Sequence, residues 1–395
     1  MEMVESGAGR RWMGVGRSGN PDSMAAAAEA AGAAVRGPEP KLLLVFVAIS
    51  HELYSVLDGV RSAAPGVPVV GCTTHGELAQ GGPTDGSVTV AAIGGPGFSV
   101  AVSAAEGVTG RQREAGAVVA RCVEATDPHL PYRALMLLTD GKIRDQEAIL
   151  RGVYSVVGAG VPLFGGACAD GWRMTGGYLL TGGRIMKDAA IGVAIASEAP
   201  LSIAVRHGWR KTGRPMIVTS SGNGRVHTLD DQPALDAFLD RAQAPAEAYT
   251  DFDALKAFVL THPLGVQRRS CVEARNMSTG IDLEGRSISG GSAIDHGGLV
   301  WVLTGDETSI LAAADEACQD AIAGLHGAAP VGLLTFSCAA LRAILGDEGI
   351  QREGERLEKW ADGAPFAGFY TYGEIARVRG IDGFHNQALA VLALG

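Results

Sequence analysis

A mixed α+β fold is predicted, built from duplicated β-α-β-β units that form two sheets with helices packed outside, and three observations predict it. Apolar runs of strand length recur at Leu42–Ile49, Ala134–Leu138 and Gly332–Phe336. Their continuous apolar character marks strands buried on both faces. Each run is followed by a stretch with helical character and then by a tetrapeptide that opens on Pro and closes on Gly. These are Pro68-Val-Val-Gly71, Pro162-Leu-Phe-Gly165 and Pro365-Phe-Ala-Gly368. Each tetrapeptide leads into a polar, Gly-rich turn and a closing strand, so the order of elements repeats as well as the residues.

The elements follow in order. Residues 1–22 are Gly-, Arg- and Ser-rich and are expected to form a flexible arm. Gly14-Val-Gly-Arg-Ser-Gly19 matches the spacing of a dinucleotide-binding turn, but only the short Arg11–Val15 precedes it as a strand, so it reads as a Gly-rich loop. Ser23–Val35 is alanine-rich and reads as a helix capped by Asp22 or Ser23. The first unit then runs through a helix at His51–Ala63, the turn at Gly71 and a strand at Ser87–Ile93. The second has a helix at Asp145–Val157 and a closing strand at Ala189–Ala196; the third closes on Gln387–Leu394.

The interval between the second and third tetrapeptides is about twice the first, which suggests a degenerate fourth copy near His262-Pro-Leu-Gly265. A Gly-, Ser- and Thr-rich stretch begins near Gly208. The expected division is therefore an N-terminal domain at 23–207 and a C-terminal domain at 208–395.

Composition narrows the function. Hydrophobic residues make up 47% of the 395 and charged residues 19%, a globular balance that supplies a sizeable core. The net charge of −10 comes with no Lys/Arg stripe, which argues against nucleic acid as a partner. No apolar run approaches the ~20 residues that span a bilayer. The six cysteines form no CxxC pair, which fits a reduced, cytoplasmic protein. No Walker A loop, HExxH helix or GxSxG elbow occurs, and the sequence carries no metal or cofactor motif.

The polar turns at strand ends are the candidate site. Glycine lets backbone amides approach a ligand, and small hydroxyl or thiol groups add adaptable hydrogen bonds. The residues so marked are Cys72, Thr73, Thr74 and Glu77 in the first turn, and Gly166, Ala167 and Asp170 in the second. Ser337, Cys338, Tyr370, Thr371 and Glu374 belong to the third unit. The same turns can be structural, with Thr and Glu holding neighbouring backbone. Cys72 or Cys338 as the nucleophile of a thiol-dependent hydrolase or transferase is the alternative; it requires a base or an electropositive neighbour.

At these turns the sequence resembles the FIST family. Gly71-Cys-Thr-Thr-His-Gly-Glu-Leu78 is similar to that family's G-C-x-T-x-G-E signature, with His75 where a small residue is more usual. Gly165-Gly-Ala-Cys-Ala-Asp170 resembles its second glycine turn. Its C-terminal region is matched by Pro263-Leu-Gly265, by Phe336-Ser-Cys338 with Arg342, and by Gly368-Phe-Tyr-Thr-Tyr-Gly-Glu374. The resemblance implies a sensory module of signal transduction that binds a small polar ligand such as an amino acid and signals to a downstream protein.

Overall fold

The computed structural model describes residues 11–268, 271–278, 280–290, 294–377 and 383–395. Residues 1–10, the first part of the arm expected at 1–22, lie outside the described residues, and Trp12–Ser18 of that arm form a strand. The first unit comprises β1 (Trp12–Ser18), α1 (Ser23–Ala34), β2 (Pro40–Ala48), α2 (Leu53–Ala63), β3 (Val69–Thr74), β4 (Glu77–Ala79), β5 (Gly82–Thr84) and β6 (Val88–Gly94). The second has the same order: β7 (Phe98–Glu106), α3 (Gln112–Ala120), β8 (Tyr132–Asp140), α4 (Gln146–Val157), β9 (Leu163–Cys168), β10 (Leu179–Thr181), β11 (Arg184–Met186) and β12 (Ala189–Ser197).

The third unit opens with β13 (Leu201–Arg206) and is then interrupted by an insertion. The insertion holds β14 (Arg210–Gly222), β15 (Arg225–Leu229), β16 (Gln232–Pro233), α5 (Ala234–Ala242), α6 (Phe252–Thr261), β17 (Leu264–Gln267), β18 (Val272–Arg275) and β19 (Leu299–Thr304). The unit resumes with α7 (Glu307–Ala323), β20 (Gly332–Cys338), α8 (Ala339–Ala361), β21 (Phe366–Thr371), β22 (Glu374–Arg377), β23 (Phe384–His385) and β24 (Leu389–Leu394). The mixed class with helices outside holds, but the strands form four six-stranded sheets rather than two.

Three of the sheets share one pairing pattern. β2, β8 and β20 each lie parallel to the next long strand (β3, β9, β21) and antiparallel to the closing one (β6, β12, β24). The opening strands β1, β7 and β13 add antiparallel to the closing strands. The hairpin after each second strand joins a different sheet: β4–β5 pairs with β21, β10–β11 with β3, and β22–β23 with β9. The exchange is cyclic, so the third sheet contains β4, β5 and β13 from before residue 207. The inner faces of the three sheets meet in one core, where Phe46, Phe164, Phe336 and Phe369 pack ring on ring.

The repeated glycine has a packing reason. Gly71, Gly165 and Gly368 stand opposite Val45, Leu137 and Thr335 in the three parallel pairs. A Cβ at these positions would lie 2.4, 1.9 and 1.6 Å from the carbonyl oxygens of those partners. Only a residue without a side chain lets the two strands lie this close.

The Gly-rich segment near the N-terminus is a strand, not the expected loop. In β1, Gly14 and Gly16 alternate with Met13 and Val15, and α1 lies directly on the glycine face. A Cβ on Gly14 or Gly16 would sit 2.1 Å from the carbonyl oxygen of Ala34 or Ala30. The alternation is thus a strand pattern in which glycine replaces the usual large residue. The cap of α1 is Asp22, whose side chain accepts from Ala25 N at 2.7 Å.

The insertion corrects a second expectation. The segment read as a fourth copy, around His262–Gly265, contributes β17, which pairs antiparallel on both sides, to β18 and β19. Both its edges are taken by antiparallel partners, so it is not equivalent to β3, β9 and β21. The inserted sheet carries its own core with α5 and α6. It is tied to the rest by charge: Arg275 Nη2 pairs with Glu273 at 2.7 Å and with Glu147 of α4 at 3.3 Å. Arg275 Nη1 also donates to Phe384 O at 3.3 Å, and both Arg275 and Glu273 are buried.

Gly368→Ala is expected to destabilise the chain by about 3 kcal/mol or more in urea unfolding, the upper end of overpacking costs. A cost under 1 kcal/mol would mean that the strands can separate freely. Arg275→Ala strips Glu273 of one of its two guanidinium partners, Arg268 staying at 2.8 Å, and a loss of about 1.5–3 kcal/mol, the worth of a charged hydrogen bond, is expected in the same measurement.

Candidate functional site

The first and third turns are built alike. In the first, Thr74 Oγ1 donates to Glu77 Oε1 and accepts from Gly76 N at 3.3 Å. In the third, Thr371 Oγ1 donates to Glu374 Oε1 at 2.7 Å and accepts from Gly373 N at 3.1 Å. The second carboxylate oxygen reaches the start of the closing strand, accepting from Ser87 N at 3.1 Å and from Ala388 N at 3.2 Å. The second unit reaches the same end differently: Asp140, at the end of β8, accepts from Asp188 N at 2.8 Å.

The turns interlock around one axis, at the carboxyl ends of the three parallel strand pairs. His75 N donates to Tyr370 O, Tyr370 N to Gly76 O, Tyr372 N to Ala167 O, Ala167 N to Gly373 O, and Ala169 N to Thr73 O. Thr73 Oγ1 donates to Ala169 O at 2.7 Å and accepts from Tyr178 N at 2.9 Å. Gly166 stands opposite Glu374 in the ladder. Thr73, Thr74, Glu77, Gly166, Ala167, Asp170, Thr371 and Glu374 are therefore brought together. The Tyr370 backbone joins them, but its side chain and that of Ser337 meet elsewhere, both donating to the buried Glu353 of α8, at 2.8 and 2.9 Å.

Burial governs the ionisation here. It pushes the Glu77 carboxyl up to about 7 and that of Glu374 up to about 8, against the opposing hydrogen bonds. It also pushes the thiols of Cys72 and Cys338 well above their ordinary value, which opposes the thiolate a nucleophile needs.

Four residues outside the sequence-derived set, His75, Trp172, Tyr372 and Arg342, cluster at these turns. The His75 ring meets the Trp172 ring edge-on at 4.5 Å, and Tyr372 lies 6.2 Å from Trp172 and 6.4 Å from His75. Tyr372 OH donates to Asp170 at 2.7 Å and accepts from Trp172 N at 2.8 Å. Asp170 also accepts from Met174 N, Thr175 N and Thr175 Oγ1. Burial alone would raise the Asp170 carboxyl, but these bonds outweigh it and hold it low. Arg342 Nη1 donates to His75 O at 2.8 Å, and its guanidinium pairs with Asp85. Burial, followed by the charge of Arg342, pushes His75 down to about 4, so its imidazole is neutral near pH 7. The signal for His75 was its oddity inside a small-residue turn; Tyr372 lies inside the third turn and Trp172 just past the second, with no periodicity to mark either.

Two surface clefts lie elsewhere. One of about 630 Å³ is lined by Arg61, Thr181 and Arg184, and one of about 610 Å³ by Arg214, Asp230 and Arg241; no turn residue lines either. The convergent polar groups lie at the axis instead. Among the described residues no three His, Cys, Asp or Glu side chains are placed to hold a metal ion, and no helix is long and apolar enough to cross a membrane.

Comparison with known proteins agrees with these turns. The FIST N domain model matches residues 41–232 and the FIST C domain model residues 234–377. The chain belongs to the FIST family. FIST domains are described as sensory modules of signal transduction. The FIST chain is similar to two uncharacterized proteins of Mycobacterium tuberculosis, from strains CDC 1551 and H37Rv. Each is 26% identical, with 95% of this chain and 97% of the relative covered. Among solved structures, phosphoribosylformylglycinamidine synthase II from Thermotoga maritima aligns at 11% identity over 97% of this chain and 72% of that one. Its TM-score is 0.22, too low to carry an argument.

The raised carboxyls set a pH dependence. A carboxyl at 4.5 when unfolded and about 8 when folded holds its proton longer in the native state, so stability falls as pH rises from about 5 through 8. Glu374→Gln removes that titration. Its stability relative to wild type is expected to rise between pH 5 and 9, by an amount on the order of a few kcal/mol. Urea unfolding at each pH measures it, and a constant difference would refute the assignment.

Proposed function

We propose that this FIST chain is a cytoplasmic sensory protein that binds a small polar metabolite, an amino acid or a molecule of similar size, where its three turns meet. Its bound state would pass to a separate signalling protein. The observation that carries this reading is the interlocking of the three turns at the carboxyl ends of three parallel strand pairs. Ligands of α/β sheets lie beyond the carboxyl ends of strands, and binding sites favour junctions between structural units. In this reading Cys72, Thr73, Thr74, Glu77, Gly166, Ala167, Asp170, Cys338, Thr371 and Glu374 shape the wall of the site, with the side chains of Ser337 and Tyr370 behind it on Glu353. The three units descend from one repeated β-α-β-β ancestor, with equivalent glycines at 71, 165 and 368.

Thermal-shift screening of the full chain against amino acids and related metabolites tests the proposal. A ligand at 100 times its dissociation constant adds about 2.7 kcal/mol to stability. A broad metabolite panel that leaves the melting temperature unmoved sinks it.

A further inference from the structure

His75 is only 9% exposed, and its Nδ1 has no hydrogen-bond partner. Buried polar atoms are almost always paired, so a vacant nitrogen on a neutral imidazole points to a group supplied from outside. Its surroundings say what kind. Beside the imidazole lies Trp172, a residue 49% exposed although its ring meets that of His75 at 4.5 Å. Met174, 48% exposed, is its near neighbour in the same loop, and both residues hold positive φ, at +68° and +54°. Such backbone is unfavourable for non-glycine residues. Here it is fixed by Asp170, which accepts from Met174 N and from both Thr175 N and Thr175 Oγ1. The loop is thus held so that it presents an aromatic face. Tyr372 forms another wall, locked by its own bond to Asp170.

The charges beside this face are already used. Arg342 is paired with Asp85 and with His75 O, and Asp170 accepts four hydrogen bonds. The Asp170 carboxylate is thus filled, and the charge of Arg342 is met by that of Asp85. What remains vacant is one ring nitrogen beside two aromatic surfaces. That combination suits a flat molecule with a polar edge, since aromatic rings attract each other by face and edge and the nitrogen reads a single donor or acceptor.

We propose that His75, Trp172 and Tyr372 form a recognition site for a planar nitrogen heterocycle, whose face packs on Trp172 and whose ring-edge nitrogen pairs with His75 Nδ1. The inference rests on the axis being the ligand site and narrows the ligand to a heteroaromatic class.

The test is calorimetric titration of the full chain with adenine, uracil and nicotinamide, with glycine and glutamate as non-aromatic probes. At least one heterocycle is expected to bind and to raise the melting temperature. His75→Phe keeps the ring contact with Trp172 but removes the vacant nitrogen. It is expected to melt no lower than wild type without ligand, while its affinity for that heterocycle falls at least tenfold. Trp172→Ala, at a half-exposed position, is expected to keep the wild-type melting temperature and also to lose at least tenfold. Binding of glycine or glutamate with no heterocycle bound would overturn the class and leave the axial site standing. No binding of any probe would overturn this inference, leaving the wider metabolite panel to judge the axial site. A His75→Phe chain that melts far lower, or that binds the heterocycle as wild type does, would show that the imidazole is structural and overturn the assignment.

Discussion

Each of the three related sheets takes two strands from another unit: β4–β5 completes the sheet of β21, β10–β11 that of β3, and β22–β23 that of β9. An unpaired strand edge exposes backbone donors and acceptors that must be met. Here the unit that meets them is always a different one. The turns leading into the hairpins must therefore cross at one place, and the axial cluster of Thr73, Thr74, Ala167, Thr371 and their glutamates is that crossing. The buried carboxyls at Glu77 and Glu374 follow from the same geometry, because each ties its turn and the closing strand behind it.

Much of this frame was legible along the chain because it is local. The apolar runs at β2, β8 and β20 show burial on both faces, and the glycines at 71, 165 and 368 mark a backbone contact that no side chain survives. Asp22 announces the start of α1. What could not be read is non-local. Nothing in the sequence of β4–β5 says that its partner is β21. Alternating glycines in β1 imitate a loop because the helix above them leaves no space for a Cβ. The insertion between β13 and α7 has a doubling of the repeat interval as its trace, and the same doubling invited a fourth copy that β17 does not form.

The candidate site was half legible for the same reason. Thr74, Glu77, Thr371 and Glu374 stand out because two turns use the same three-residue hydrogen-bond scheme. Asp170 and Tyr372 lie in different units and meet through folding alone. His75 becomes notable once Trp172 is seen to cover it, because the cost of an unpaired nitrogen depends on burial.

The cyclic exchange also bears on how the chain is made. β4–β5 emerges early in synthesis, but its pairing strand holds Ala367 and Gly368, close to the C-terminus. The first sheet can gain β10–β11 once the second unit is synthesised, whereas the third sheet waits until β20 and β21 have followed. Contacts of such separation carry a large loop-closure entropy and slow folding. Domains are ordinarily able to fold one after another as they leave the ribosome. These three units cannot, because residues 332–394 close a ring that residues 12–94 have held open.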